Sequence, residues 1–142
     1  MVQTQAFTIE RTYDAPPANV WKAITQKELL KQWYFDIPDF KAVAGHEFTF
    51  EGNGPCEKPN LHLCKITEVI PGKKLAYTWR YEGVEGSSLV TFELFPEGGK
   101  TRLRLTHAGL ETFPRDLVEK KNFAAGWTRM VEISLPAFLV NN

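Results

Sequence analysis

Between residues 45 and 107 the chain repeats one pattern, in which apolar and polar side chains alternate and turn residues break the runs. Phe48 and Phe50 share a face in residues 45–52 (GHEFTFEG), and Leu61 to Val69 follows a Gly/Pro/Asn loop at 52–60. After the Pro71-Gly72 turn, Leu75, Tyr77, Trp79 and Tyr81 alternate with Lys74, Ala76, Thr78 and Arg80. Another turn at 83–86 leads to Val90, Phe92 and Leu94, and a loop at 96–100 (PEGGK) to Leu103, Leu105 and His107. Upstream, residues 5–13 (QAFTIERTY) put Phe7, Ile9, Arg11 and Tyr13 on one side and Thr8, Glu10 and Thr12 on the other. A period of two predicts strands, and closely spaced turns predict antiparallel neighbours. Strands with one apolar face form a sheet that needs a cover on that face alone.

One long segment can supply it. In residues 123–138 (FAAGWTRMVEISLPAF), Trp127, Met130, Val131, Leu135 and Phe138 recur at helical spacing, with Ser134 in the gap. Pro136 lies inside the pattern. It has no N–H for the carbonyl of Glu132, so a bend is expected there. Two shorter helices follow the first strand. One is expected to start at Pro16, capped by Asp14 or Ala15, with Val20, Trp21 and Ile24 on its inner face. The other covers Lys27 to Trp33, and both are too short to stand without packing. Beyond Ala108-Gly109 the chain reads as irregular or partly helical. Segregated helices and a run of about six or seven antiparallel strands predict an α+β fold, a curved sheet wrapped around the C-terminal helix. With 142 residues, a single domain over 1–142 is expected.

Charge narrows the function classes. Lys plus Arg and Asp plus Glu are both 17, so no basic field attracts nucleic acid or anionic lipid. Lys120 and Lys121 follow Glu119 and make no basic patch, and Glu10, Glu47 and Glu93 point to the wet side of their strands. No apolar run approaches the ~18 residues of a membrane span. The N-terminal residues MVQTQAF lack signal-peptide features, so a cytoplasmic protein is expected. Cys56 and Cys64 form no framework and read as two free thiols. There is no Gly-x-Ser-x-Gly elbow, no Gly-rich phosphate loop and no dinucleotide fingerprint.

Alternation turns Phe48, Phe50, Tyr77, Trp79, Val90, Phe92, Leu103 and Leu105 inward, with Trp33 from the second short helix. Trp127, Met130, Val131, Leu135 and Phe138 face them from the long helix. Ordinary core packing accounts for such stripes, but several polar groups share the inner face, as in small-molecule sites. His107 ends the last strand on the Leu103-Leu105 side. It reads as a hydrogen-bonded, semi-buried histidine, a polar contact for a ligand, or a general acid–base group. Arg11 on the Phe7-Ile9-Tyr13 side either snorkels to the edge or meets a ligand carboxylate or phenolate. His62 and Cys64 face the same side of one strand. With His46 they make a conceivable metal set, but no close-spaced ligand motif supports one and no metal is expected. Tyr77, Trp79 and Tyr81 offer polar tips.

Four motifs carry a resemblance that spans nearly the whole chain. They are residues 14–25 (DAPPANVWKAIT), 30–33 (LKQW), 68–79 (EVIPGKKLAYTW) and 101–110 (TRLRLTHAGL) followed by Gly126-Trp127. Their order and spacing resemble the family named for the activator of heat-shock-protein-90 ATPase, within the START-like helix-grip superfamily of pollen-allergen-like proteins, lipid-transfer domains and polyketide cyclases. The resemblance implies a cavity between the inner sheet face and the C-terminal helix, lined by the inward residues above together with Arg11, His62 and His107. It implies a hydrophobic or aromatic small molecule, or a chaperone, as partner. No cofactor, nucleic acid or membrane span is expected, and the chain is expected to be a monomer or homodimer. The eukaryotic co-chaperone has an additional N-terminal domain with an Asn-rich, Trp-containing motif. Here the only Asn-Asn is the terminal pair, so full co-chaperone activity is not expected. A binding module is the leading expectation. A co-chaperone or other protein-interaction role and a cyclase- or dehydratase-like enzyme using His107 or a Tyr are the alternatives, because this fold hosts carriers, enzymes and co-chaperones alike.

Overall fold

The computed structural model describes residues 6–34, 37, 40–51, 61–115 and 123–140. The Gly/Pro/Asn loop at 52–60 with Cys56, and the Glu119-Lys120-Lys121 segment, lie outside these residues. Six strands, β1 (Phe7–Tyr13), β2 (Glu47–Glu51), β3 (Leu61–Ile70), β4 (Lys74–Tyr81), β5 (Ser88–Glu97) and β6 (Lys100–Ala108), form one sheet in the order β1-β6-β5-β4-β3-β2. Every neighbouring pair is antiparallel. Alternation is obeyed along β5 and β6, whereas on β4 Ala76 is buried between Leu75 and Tyr77, and on β1 Arg11 is exposed. On β6, Thr101, Leu103, Leu105 and His107 are buried, while Arg102, Arg104 and Thr106 between them are not. The register slips between Ile66 and Glu68, and this bulge bends β3.

The hairpin between β5 and β6 is tighter than the expected loop at 96–100. Glu97 pairs with Lys100, leaving Gly98 and Gly99 as a two-residue turn with φ of 58° and 87°. Positive φ at both positions fits the turn whose twist matches its flanking strands. The first helix, α1 (Pro17–Thr25), starts one residue later than expected. Pro16 is extended at φ −68°, ψ 154°, because a residue preceding proline is pushed out of the helical region. Gln26 alone separates α1 from α2 (Lys27–Trp33). A 3₁₀ turn, Leu110–Thr112, follows β6.

The C-terminal cover is built in three parts: α3 (Phe123–Arg129), a π-helical turn (Met130–Ser134) and α4 (Leu135–Val140). The Leu135 N–H bonds the Met130 carbonyl, one residue further back than in an α-helix. The next bond in that register would come from Pro136, which has no N–H. The Val131 carbonyl instead accepts the buried Tyr13 hydroxyl of β1 at 2.6 Å. The proline is thus accommodated by a widened turn just ahead of it and a hydroxyl from the sheet. Helix α1 packs on β5 and β6 and touches α4, and Val20, Ile24, Leu75, Leu103 and Leu135 are at most 1% exposed. This is the helix-grip α+β arrangement. Among the described residues no helix is long and apolar enough to cross a membrane.

Candidate functional site

The inner face of the sheet divides along the strands. Register places Ile9, Leu105, Phe92 and Leu75 in one row and Leu103 and Leu94 in the next, a mainly aliphatic end. Toward the other end come the row of His107, Val90 and Tyr77 and then Ser88 opposite Trp79. Beyond these, His62 lies opposite Tyr81 and Phe50. The C-terminal cover runs across this division, with Phe123 and Trp127 over the aromatic end.

The rings there touch in series. Phe50 and His62 stack at 4.3 Å and 9°. Trp79 stands edge-on to His62 at 4.8 Å and lies 5.5 Å from His107 and 5.7 Å from Trp127. Phe123 is edge-on to His107 at 5.2 Å and stacks with Phe113, which in turn meets Tyr81. Phe113 is held by a close backbone approach. Gly86, at φ 112°, lies so near the 3₁₀ turn that a Cβ there would come within 2.5 Å of the Thr112 carbonyl. The Ser87 N–H donates to the Thr112 hydroxyl at 2.9 Å across the same contact. Beside this cluster the Tyr34 and Tyr77 hydroxyls share a hydrogen bond of 2.7 Å, and the Tyr34 ring stacks on Trp127. Burial raises the pKa of both phenols, so they stay neutral.

His107 is the polar centre of this end and is 0% exposed. Its protonation pattern follows from its partners. The Trp127 indole N–H, a donor only, points at Nδ1 at 2.9 Å, so Nδ1 accepts. Nε2 therefore carries the proton and donates to Ser88 Oγ at 2.7 Å, and the Ser88 hydroxyl donates to the Trp79 carbonyl at 3.1 Å. One directed chain thus links α3, β6, β5 and β4. Burial pushes the imidazole pKa down to about 3, so it is neutral at pH 7. The pair looks like a serine–histidine dyad but has the opposite polarity. With its proton on Nε2, the imidazole turns an N–H toward Ser88, so the nitrogen facing the serine has no lone pair to take its proton. Trp79 adds a second link, its indole N–H donating to the Tyr81 hydroxyl at 2.9 Å. Among the described residues, no buried side-chain nitrogen or oxygen lacks a hydrogen-bond partner, and no cluster of three potential metal ligands occurs.

A family model described as "Activator of Hsp90 ATPase homolog 1-like protein" matches residues 14–139. The chain belongs to that family. Similar solved structures include protein MLL2253 from Mesorhizobium loti, 29% identical with a TM-score of 0.81 over 97% of this chain and 98% of that one. Protein BH1534 from Bacillus halodurans is 26% identical, with a TM-score of 0.75 over 98% of this chain and 99% of that one. CalU16 from Micromonospora echinospora is 30% identical, with a TM-score of 0.74 over 94% of this chain and 75% of that one. No curated protein matches the chain.

Against this family background, the residues expected to line a cavity fall into four groups. Phe50, His62, Trp79, His107 and Trp127 meet at the aromatic end, and Phe48 and Tyr77 border it through an edge-on contact at 5.3 Å. Val90, Phe92, Leu103, Leu105, Val131, Leu135 and Phe138 are buried, and Met130 is half-buried. Trp33 is buried but turned into the helices, its N–H donating to the Ala23 carbonyl at 2.8 Å, with Tyr34 beside it. Arg11 lies on the edge strand β1, its side chain 42% exposed and 4.0 Å from Glu132 of the π turn. Of His46, His62 and Cys64, the last two share the buried side of β3, and burial raises the pKa of the Cys64 thiol. Sequence reasoning missed Ser88, Phe113, Phe123 and Tyr34. Ser88 was two residues ahead of Val90 on the same strand face, and Phe123 four ahead of Trp127 on the same helix face, so periodicity could have found both. Phe113 follows a 3₁₀ turn and had no periodic signal.

Proposed function

We propose that the domain binds a small hydrophobic or aromatic molecule between the inner sheet face and the C-terminal cover, at the end where Phe50, His62, Trp79, His107 and Trp127 meet. The observation that carries this reading is the concentration of aromatic rings around one directed hydrogen-bond chain centred on His107. Apolar walls with a few convergent polar groups are what small-molecule sites are made of. Removing ~200 Å² of apolar ligand surface from water contributes about 5 kcal/mol before association costs, enough for weak binding that one polar contact sharpens.

Native mass spectrometry of the protein purified from its host, repeated after denaturation, tests this. A stoichiometric extra mass that disappears on denaturation is expected, together with a saturable thermal shift with hydrophobic ligands that Val90→Trp abolishes. A bare chain mass with no thermal shift across a lipid and aromatic library would overturn the reading. It would favour the chaperone-regulator role that the family description suggests, tested by the ATPase rate of the matching chaperone.

A further inference from the structure

The binding reading leaves open what chemistry the site accepts, and Trp127 answers that from within the fold. Its indole sits as a bound molecule would, stacked on Tyr34 at 5.9 Å, edge-on to Trp79 at 5.7 Å and Phe92 at 6.1 Å. Its N–H donates to His107 Nδ1. Of the seven residues of α3, only Phe123 and Trp127 are buried. Neighbouring Gly126 has nothing within 4 Å of where a Cβ would stand, so the backbone on that side is open. The π turn begins three residues after Trp127 and forms a joint between this segment and the better-buried α4. Among the described residues the buried polar side chains are His62, Ser88, Thr101 and His107, none a carboxylate, lysine or arginine.

Resting on that reading, we propose that the seat of the Trp127 indole is the ligand site. It takes an uncharged, planar, bicyclic aromatic molecule that carries a hydrogen-bond donor, a phenol or an N–H heterocycle, which replaces the indole on His107 Nδ1. The donor is required because the Ser88 hydroxyl spends its proton on the Trp79 carbonyl and accepts from Nε2, which leaves Nδ1 presenting a lone pair. A molecule without a donor leaves that buried acceptor unsatisfied. An aromatic carboxylate meets the same lone pair and, among the described buried residues, finds no cation to offset its desolvation.

The test is a titration of Trp127→Ala with indole, with benzothiophene, which has the same shape and no N–H, and with 2-naphthoate. Indole is expected to bind the variant roughly tenfold tighter than benzothiophene, with 2-naphthoate weakest. Adding His107→Phe is expected to erase the difference between the first two. Wild-type protein is expected to bind indole at least about tenfold more weakly than the variant, because its own side chain competes for the seat. If Trp127→Ala does not fold, the wild-type protein supplies the readout. Indole is expected to shift the Trp127 Nε1–H NMR signal at lower concentration than benzothiophene does. Equal affinities for indole and benzothiophene, or binding that leaves the Trp127 signal unmoved, overturn this proposal while leaving a ligand-binding domain. Failure of every probe together with a bare native mass overturns both.

Discussion

The two ends of the same inner face are buried to the same degree and built from different materials. At one end Leu75, Leu94, Leu103, Leu105 and Leu135 are no more than 3% exposed and interact only by packing. At the other, Trp79, Tyr81, Ser88, His107 and Trp127 are equally hidden, and each also donates or accepts a hydrogen bond. Burial alone therefore does not mark a site. A side chain that only packs is replaceable by volume, whereas a directed chain of donors and acceptors selects what can sit beside it.

The contrast can be broken from either side. The largest effect is expected at the aliphatic end. Leu103→Ala should cost about 3 kcal/mol of stability by denaturant unfolding, leaving any ligand preference between donor and non-donor molecules intact. Next comes pH. His107 protonates near its ordinary value of 6.5 in the unfolded chain and only at about 3 in the folded one. Between those values the unfolded state binds more protons, so stability falls as pH falls, by about 1.4 kcal/mol per unit below 6.5. Unfolding curves at pH 6.5 and 5 should differ by about 2 kcal/mol more in the wild-type protein than in His107→Phe. Equal differences would mean that His107 does not keep its neutral form on folding.

Smaller effects sharpen the comparison. Ser88→Ala removes the acceptor of the His107 proton and should cost about 1–2 kcal/mol, despite deleting only one oxygen. Tyr13→Phe should cost about 1 kcal/mol and raise hydrogen exchange around the π turn, since Val131 loses the donor that replaces its helical partner. Least of all, Glu10→Gln on the outer sheet face should leave the unfolding midpoint within error. Arg104 and Arg102 hold the Glu10 carboxylate below its usual pKa, but all three lie in solvent, where salt screens the pairing.

Much of this molecule could be read residue by residue. The buried positions of β5 and β6, and those of β4 apart from Ala76, follow from a period of two, and those of α3 and α4 from helical spacing. The two-residue turn at Gly98-Gly99 and the disturbance at Pro136 are local chemistry, although proline alone did not say that the response would be a π turn rather than a kink. Arg11 was harder to place, because alternation assigns it a face and not a depth. Whether that face is covered at Arg11 depends on where Glu132 ends up.

Alternation and helical spacing in the sequence by themselves determined which face of its strand or helix a side chain would take, because a pleated strand and a helix impose their periods on whatever they carry. The tertiary structure alone decided what the hidden polar groups do. The state of His107 depends on an indole 20 residues away and a hydroxyl 19 residues away, and the Val131 carbonyl is satisfied by Tyr13, 118 residues away. A hydrogen bond is made only when donor and acceptor meet within about 3 Å and in line, and no local pattern encodes that meeting across a sheet and its covering helix.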